Sequence, residues 1–354
     1  MVKRWIAISL LAAGSASAQP SASEKKAVPV DPIAAILEAF RSHPIVALGE
    51  GNHNNEQGYA FRLSLIRDPR FAATVNDIVV EAGNSRYQDV MDRFVHGEDV
   101  PYEVLRHVWQ DTTQPNPVWD VPIYEEFYRA VKKLNSTLPR ERQLRVLLGD
   151  PPIDWSTVQN REDAMKQMGP RDQYPADLIQ REVLAKGRHA LIVYGDMHLQ
   201  RENLFTNYAT SDMMVGLLES KVSGGVFTVH TNTTEANLAT VQGDVSSWPI
   251  PSLVKLRGTA LGAKDFAFYY PFDVAVRDSK GTPVPREQRP SLRMEDQFDA
   301  LLYLGPQSSI TFSRLSPTLC SDRAYVQMRS TRMALLFPPE GVEQFKKQCG
   351  ISPQ

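Results

Sequence analysis

The chain has 354 residues and only two cysteines, Cys320 and Cys349. That number rules out a cysteine-rich metal cluster or a disulfide scaffold as the basis of the fold. Neither charge is in excess: 39 Lys and Arg stand against 41 Asp and Glu, for a formal net charge of −2. The basic footprint of a nucleic-acid-binding protein is therefore missing. Beyond the N-terminal segment no apolar run approaches the length that spans a bilayer. There is no Gly-x-Ser-x-Gly elbow, no His-Glu-x-x-His zinc helix and no phosphate-binding Gly-Lys-Ser/Thr loop. These absences disfavour a standard serine hydrolase, a zincin and a P-loop nucleotide enzyme. No internal repeat is evident.

The first residues have the pattern of a secretory signal. Lys3 and Arg4 form the positive region, Trp5 to Ala13 is a short apolar stretch, and Ala16-Ser17-Ala18 is a cleavage site. Residues 1–18 are read as a signal peptide cleaved after Ala18, giving a periplasmic or secreted protein with no stable membrane anchor. Residues 19–30, rich in Ser, Lys and Pro, read as a linker. Residues 31–354 then form a single α/β domain. In an exported chain the default for Cys320 and Cys349 is a disulfide, with two buried thiols as the alternative.

The strongest pattern is an apolar run ending in Gly, polar positions and His, and it occurs twice. Ile45-Val46-Ala47-Leu48-Gly49 leads to Glu50-Gly51-Asn52-His53, and Ala190-Leu191-Ile192-Val193-Tyr194-Gly195 leads to Asp196-Met197-His198. Two related runs are Ile78-Val79-Val80 before Glu81-Ala82-Gly83-Asn84, and Leu144 to Leu148 before Gly149-Asp150. Uninterrupted apolar strands of this kind belong to parallel sheets covered on both faces. Helical periodicity appears from Asp31, from Asn55 to Leu65, in Tyr87 to Val95, Tyr102 to Trp109, Pro122 to Leu134 and Arg171 to Ala185, and in the final segments Asp322 to Leu336 and Glu340 to Gln348. Further strands are predicted at Val226 to His230, Ser252 to Leu256, Val274 to Val276 and Ala300 to Leu304. The alternation predicts a mainly parallel central sheet flanked by helices on both faces, with helical insertions.

In such a sheet the carboxyl ends of the strands line the ligand crevice. Four strand ends would thus bring together His53, His198, Glu50, Glu81, Asp150 and Asp196. Glu50 and His53, three residues apart, suit a general-base pair in which the carboxylate fixes the tautomer and the other nitrogen takes a proton; the alternative is a pair that only caps the next helix. Glu81 follows buried residues, so it orients a histidine, acts as an acid, binds a cation or pairs with an arginine. Arg171 is either that partner, with a fork suited to a substrate anion, or a helix-start residue paired with Asp172. Asp150 is a supporting residue or an N-cap. His43, His96, His107, His189 and His230 stand outside the set. Trp109, Trp119 and Trp155 are candidates for pocket walls or for core.

The order Gly49-Glu50-x-x-His53, Glu81, Arg171-Asp172 and Gly195-x-x-His198 resembles the erythromycin esterase-like group. That group sits in a broad superfamily with the ChaN haem-uptake proteins and the TraB/Tiki proteins. The resemblance spans about residues 44–205, with a fainter echo at Asp296 to Tyr303. It implies a hydrolase in which His53 activates water and Glu50 and Glu81 position it. His198 and Arg171 complete the site; Asp150 and Asp196 are read beside them, from their strand-end positions, as supporting residues. The Tiki branch implies a divalent metal in the same region, which here would sit on Glu50, His53, Glu81 and His198; the ChaN branch implies haem in place of hydrolysis, and a crevice that held haem or another small ligand without turnover would offer Tyr59 and Tyr194 as contacts. Gly-Asp-Met-His departs from the second motif of the macrolide esterases. In each reading the partner is a small molecule.

Overall fold

The computed structural model describes residues 25–202, 213–222, 224–232, 235–269 and 292–351, together with 282, 284, 285 and 288. Seven strands form one sheet: β1 (Ile45–Gly49), β2 (Asp77–Asn84), β3 (Arg145–Asp150), β4 (Ala190–Tyr194), β5 (Val226–Asn232), β6 (Ser252–Lys255) and β7 (Ala300–Tyr303), in the order β3-β2-β4-β1-β5-β7-β6. Five neighbouring pairs are parallel; β6 alone runs antiparallel, against β7. The sheet is therefore mixed at one edge. The apolar run of β6 carries no signal of direction, so its sense was invisible in the sequence.

β1, β2 and β4 are buried along their whole length, because helices cover both faces. Side chains alternate across the pleat. Val46, Leu48, Ile78, Val80, Leu191 and Val193 face one core with the helices Pro32–Ala39, Glu56–Arg67, Gln88–Val95 and Pro122–Asn135. Ile45, Ala47, Val79, Ala190 and Ile192 face the other with the helices Gln173–Glu182 and Met214–Lys221. A smaller cluster, Tyr325, Val326, Met333, Val342 and Phe345, holds the C-terminal helices Arg323–Leu336 and Pro339–Gln348 together.

Several sequence expectations shift. β2 does not stop at Val80 but runs on to Asn84, with a register irregularity between those residues; Glu81 thus sits in a strand and not in a loop. The helix expected over Tyr102 to Trp109 is two short ones, Tyr102–Leu105 and His107–Gln110. The helix Arg161–Met168 was not expected, since Ala164 is its only buried residue and no apolar stripe marks it. The helix expected from Arg171 begins at Gln173. Residues 1–18 of the signal segment and the strand expected at Val274 to Val276 lie outside the described residues.

Of the linker expected over 19–30, the described part is bonded to the domain. Val30 exchanges both backbone hydrogen bonds with Leu253 at the open edge of β6, and Gln242 clasps the backbone of Ala27. This segment covers an edge strand that would otherwise offer unpaired groups. Cys320 and Cys349 form the expected disulfide, 29 residues apart in sequence. Among the described residues no helix is long and apolar enough to cross a membrane.

Candidate active site

The registers Leu48 with Val193, Gly49 with Tyr194 and Val80 with Val193 set the ends of β1, β4 and β2 side by side. Glu50, Gly195 and Glu81 follow directly. After β1 the chain turns through Gly51 and Asn54, both with positive φ, before Asn55 caps the helix Glu56–Arg67 through Gly58. Glycine and asparagine tolerate this left-handed backbone, and the turn carries His53 back over Glu50.

His53 Nδ1 lies 2.8 Å from Glu50 Oε2. Glu50 is buried, and its other oxygen meets Arg62, also buried, at 3.2 Å. The Tyr124 hydroxyl lies 3.4 Å from Glu50 Oε2. The carboxylate is thus held from three sides, while the His53 side chain keeps 32% of its surface exposed. Burial would lower the pKa of His53, but the hydrogen bond it donates to Glu50 and the charges of Glu81 and Glu50 outweigh burial and the charge of His198, leaving it above 6.5.

Across from this pair stands Glu81. Its Oε2 accepts the Gly195 amide at 2.9 Å, and its Oε1 lies 3.2 Å from Arg171 and 3.4 Å from His198 Nε2. Burial would push Glu81 up; His198, His53 and Arg171 overcome it and hold the carboxyl well below its usual range. His198 Nδ1 lies 2.8 Å from Asp172 Oδ1. Burial opposes its charge, yet Asp172 and Glu81 raise its pKa to about 10, so it is an imidazolium at neutral pH. Arg171 also reaches Asp150 at 3.5 Å. Asp150 accepts the Thr113 amide and hydroxyl, both at 2.6 Å, but burial still lifts its pKa to about 6.

The residues expected at the strand ends form two linked groups, Glu50 with His53 and Glu81 with Arg171, His198 and Asp150, on either side of Gly195. Asp196 is placed differently. Its oxygens accept the Gly51 amide at 2.6 Å and the Thr231 amide at 2.8 Å, and lie 2.6 Å from His230 Nδ1. It therefore ties the ends of β1, β4 and β5 together, and His230, set aside in the sequence, is its neighbour. Asp172 is not Arg171's partner; it takes His198 and the Met214 amide. Sequence reading missed Arg62, Asp172 and Tyr124 as members of the site. Arg62 had one signal: a charged residue on the apolar face of the helix that begins with the cap after His53. Of the three tryptophans only Trp119 reaches the site, edge-on to His53 with ring centroids 4.7 Å apart. Trp109 packs against Tyr128, and Trp155 stacks on Arg332.

The residues do not fit the expected metal set. Glu50 is taken up by Arg62 and His53, and Glu81 by Arg171, His198 and Gly195. His198 has its Nδ1 on Asp172 and its Nε2 toward Glu81. A divalent ion would have to displace these partners. Among the described residues no group of three or more His, Cys, Asp or Glu is arranged to hold a metal. Of the residues offered as haem contacts, Tyr194 is buried beneath the cluster and Tyr59 packs on the core by Glu126.

No family model matches the chain, and no curated protein matches it in sequence. Solved structures do match in fold. A succinoglycan biosynthesis protein aligns at TM-score 0.60 and 10% identity, over 82% of this chain and 96% of the other. A mutant of erythromycin esterase EreC in its open conformation aligns at TM-score 0.51 and 13% identity, over 80% of this chain and 94% of the other. The haem-binding ChaN of Campylobacter jejuni aligns at TM-score 0.37, over 57% of this chain. The chain thus has the fold of an erythromycin esterase, as the motif order implied.

Proposed function

We propose that the protein is a hydrolase that activates water at His53 to cleave an ester or a related acyl bond. The observation that carries this reading is the Arg62–Glu50–His53 chain. Arg62 holds Glu50 in place, and Glu50 binds His53 Nδ1. His53 Nε2 is left facing Gly195, and the ring keeps part of its surface open to solvent. A positioned base of this kind contributes about 10²–10⁴-fold.

As His53 takes the proton, Glu50 stabilises the imidazolium. The carbonyl oxygen of the substrate gathers negative charge at the same moment. Arg171 and the protonated His198 are the cations available to meet it, an effect worth about 10²–10³ for one well-placed donor. Glu81 holds both cations and offsets the repulsion between them. The imidazolium at His53 then returns its proton to the leaving oxygen. Since a protonated His53 cannot begin the cycle, the reaction needs pH above its raised pKa.

The ester reading belongs to an exported protein, cleaved after Ala18 and acting in the periplasm or outside the cell. The Cys320–Cys349 disulfide supports an oxidising compartment. In the alternative, the same crevice holds haem or another small ligand without turnover.

The test is a panel of activated and unactivated esters offered to the purified mature chain and to His53→Ala, with haem titration of the same samples. Hydrolysis of at least one ester class, reduced about a hundredfold or more in His53→Ala, is expected. No turnover of any ester between pH 6 and 9 overturns the hydrolase reading. A stoichiometric Soret band lost in His53→Ala would put the haem reading in its place.

A further inference from the structure

The loop 110–121 touches the site twice. At one end Thr113 supplies both of Asp150's close hydrogen bonds. At the other Trp119, 1% exposed, sets its ring edge against His53 and lies 4.9 Å from Tyr124, the residue beside Glu50. The loop holds little regular structure of its own beyond the turn Pro117–Trp119. What fixes it comes from more than two hundred residues away. Arg329, on the helix Arg323–Leu336, grips Asp120 with Nε at 2.8 Å and Nη2 at 2.6 Å. The Tyr325 hydroxyl binds the same carboxylate. Arg329 Nη1 also reaches the carbonyls of Gln114 and Pro115, and Arg332 takes the Gln110 carbonyl at 3.0 Å and Asp111 at 2.8 Å. The disulfide ties Cys320, just before the helix that carries these arginines, to Cys349 at the end of the helix Pro339–Gln348 that packs on it.

We propose that the C-terminal disulfide-closed hairpin is a positioning element for the active site, in which Arg329 acts through Asp120 to hold Trp119 against the His53 imidazole. Both side chains of the Arg329–Asp120 pair are almost wholly buried. A buried ion pair of this kind contributes little net stability compared with an apolar pair of the same volume. Its directional geometry does what an apolar pair cannot: it dictates the position of the residue next to Asp120, and that residue is Trp119. The same grip on Gln114 and Pro115 fixes the approach of Thr113 to Asp150. Arg329 and Trp119 are thus positioning residues, separate from the charged cluster itself. The consequence for rate rests on the reading of His53 as the base; the geometric coupling does not.

The experiment follows the Cε1 proton of His53 by NMR, assigned by its loss in His53→Gln and read as the limiting shift of the neutral imidazole. Trp119→Leu gives the value without the ring current of the indole. Removing one member of a buried pair leaves a stranded charge, so the variant is the double Asp120→Leu/Arg329→Met, in which two apolar side chains take the place of the pair. Arg332→Gln, on a less buried arginine, is the second variant. The proposal expects folded variants with unchanged far-UV spectra whose His53 shift moves toward the Trp119→Leu value, strongly in the double and partly in Arg332→Gln. With an ester that the native protein cleaves, kcat should fall about tenfold or more in the double variant, with KM changed less than threefold. A wild-type shift in whichever of the two variants folds overturns the coupling. A moved shift in a protein that cleaves no ester leaves the coupling intact and removes the hydrolase reading.

Discussion

Gly195 donates its amide to Glu81, and its Cα faces His53: a Cβ there would lie 3.1 Å from His53 Cε1 and 3.4 Å from both His53 Nε2 and Glu81 Oε2. One backbone position therefore spaces the base from the carboxylate that holds the two cations. Gly195→Ala is expected to fold and to keep its melting temperature within a few degrees, because the side chains it meets can give by tenths of an ångström. It should nevertheless lose about tenfold or more in kcat/KM, since small misplacements of a reacting group are costly. Steady-state kinetics beside thermal unfolding checks both halves; unchanged kinetics would show that the spacing is unimportant.

The pH dependence follows from His53. Its pKa stands above 6.5, and the base works in the neutral form, so kcat/KM should rise with pH along a limb centred above 6.5. In Glu50→Gln the hydrogen bond and charge that raise this pKa are lost while burial, which lowers it, stays. The limb should then move to lower pH as the plateau falls. A limb that stays in place would detach the titration from His53.

His198 gives a stability signature of the opposite kind. Its folded pKa of about 10 lies above the ordinary 6.5. The proton is bound more tightly in the folded state, so the stabilisation is complete below pH 6.5 and drains away as pH climbs toward 10. Urea unfolding of the native chain and of His198→Gln should differ most near pH 6 and converge near pH 10. A gap that is constant across this range would mean that packing, not charge, is what the substitution removes.

The disulfide closes a 29-residue separation, for which chain-entropy reasoning gives roughly 3–4 kcal/mol as an upper value. Cys320→Ser/Cys349→Ser should therefore lower the unfolding midpoint of the C-terminal hairpin. Hydrogen exchange should localise the loss to residues 317–349 and to the loop 110–121 that the hairpin grips. Uniform loosening of the whole sheet would contradict that local role.

Much of this architecture could be read from β1, β2, β3 and β4, because strands covered on both faces are written as unbroken apolar runs ending in glycine. The polar residues that follow these apolar runs, Glu50, His53 and His198 beyond their strands and Glu81 within the last part of β2, were legible because parallel strands present their carboxyl ends together. What escaped was whatever depends on pairing across the chain. Asp172 sits next to Arg171 in sequence yet serves His198, and Arg62, though it falls on the apolar face of its helix, gives no sign in the sequence that its partner is Glu50. Asp196 shares a strand end with His198 but spends its oxygens on the other side. Arg329 gave no hint at all, since a buried arginine in a helix of mixed polarity carries no periodic signal.

The junction made by Asp196 bears on how the chain assembles. It joins Gly51, 145 residues upstream, to Thr231, and the Thr231 hydroxyl closes on the Gly49 carbonyl across 182 residues. The central strand β1 leaves the ribosome before the other strands, yet both its neighbours, β4 and β5, come far later. It must wait unpaired until β4 follows, with the 140 residues between Gly49 and Ala190 in between. Sheets closed by such distant partners form slowly. A fragment that stops before β4 would hold an apolar strand with nothing beside it, so truncations in the first half should aggregate, whereas loss of the last few residues should be borne.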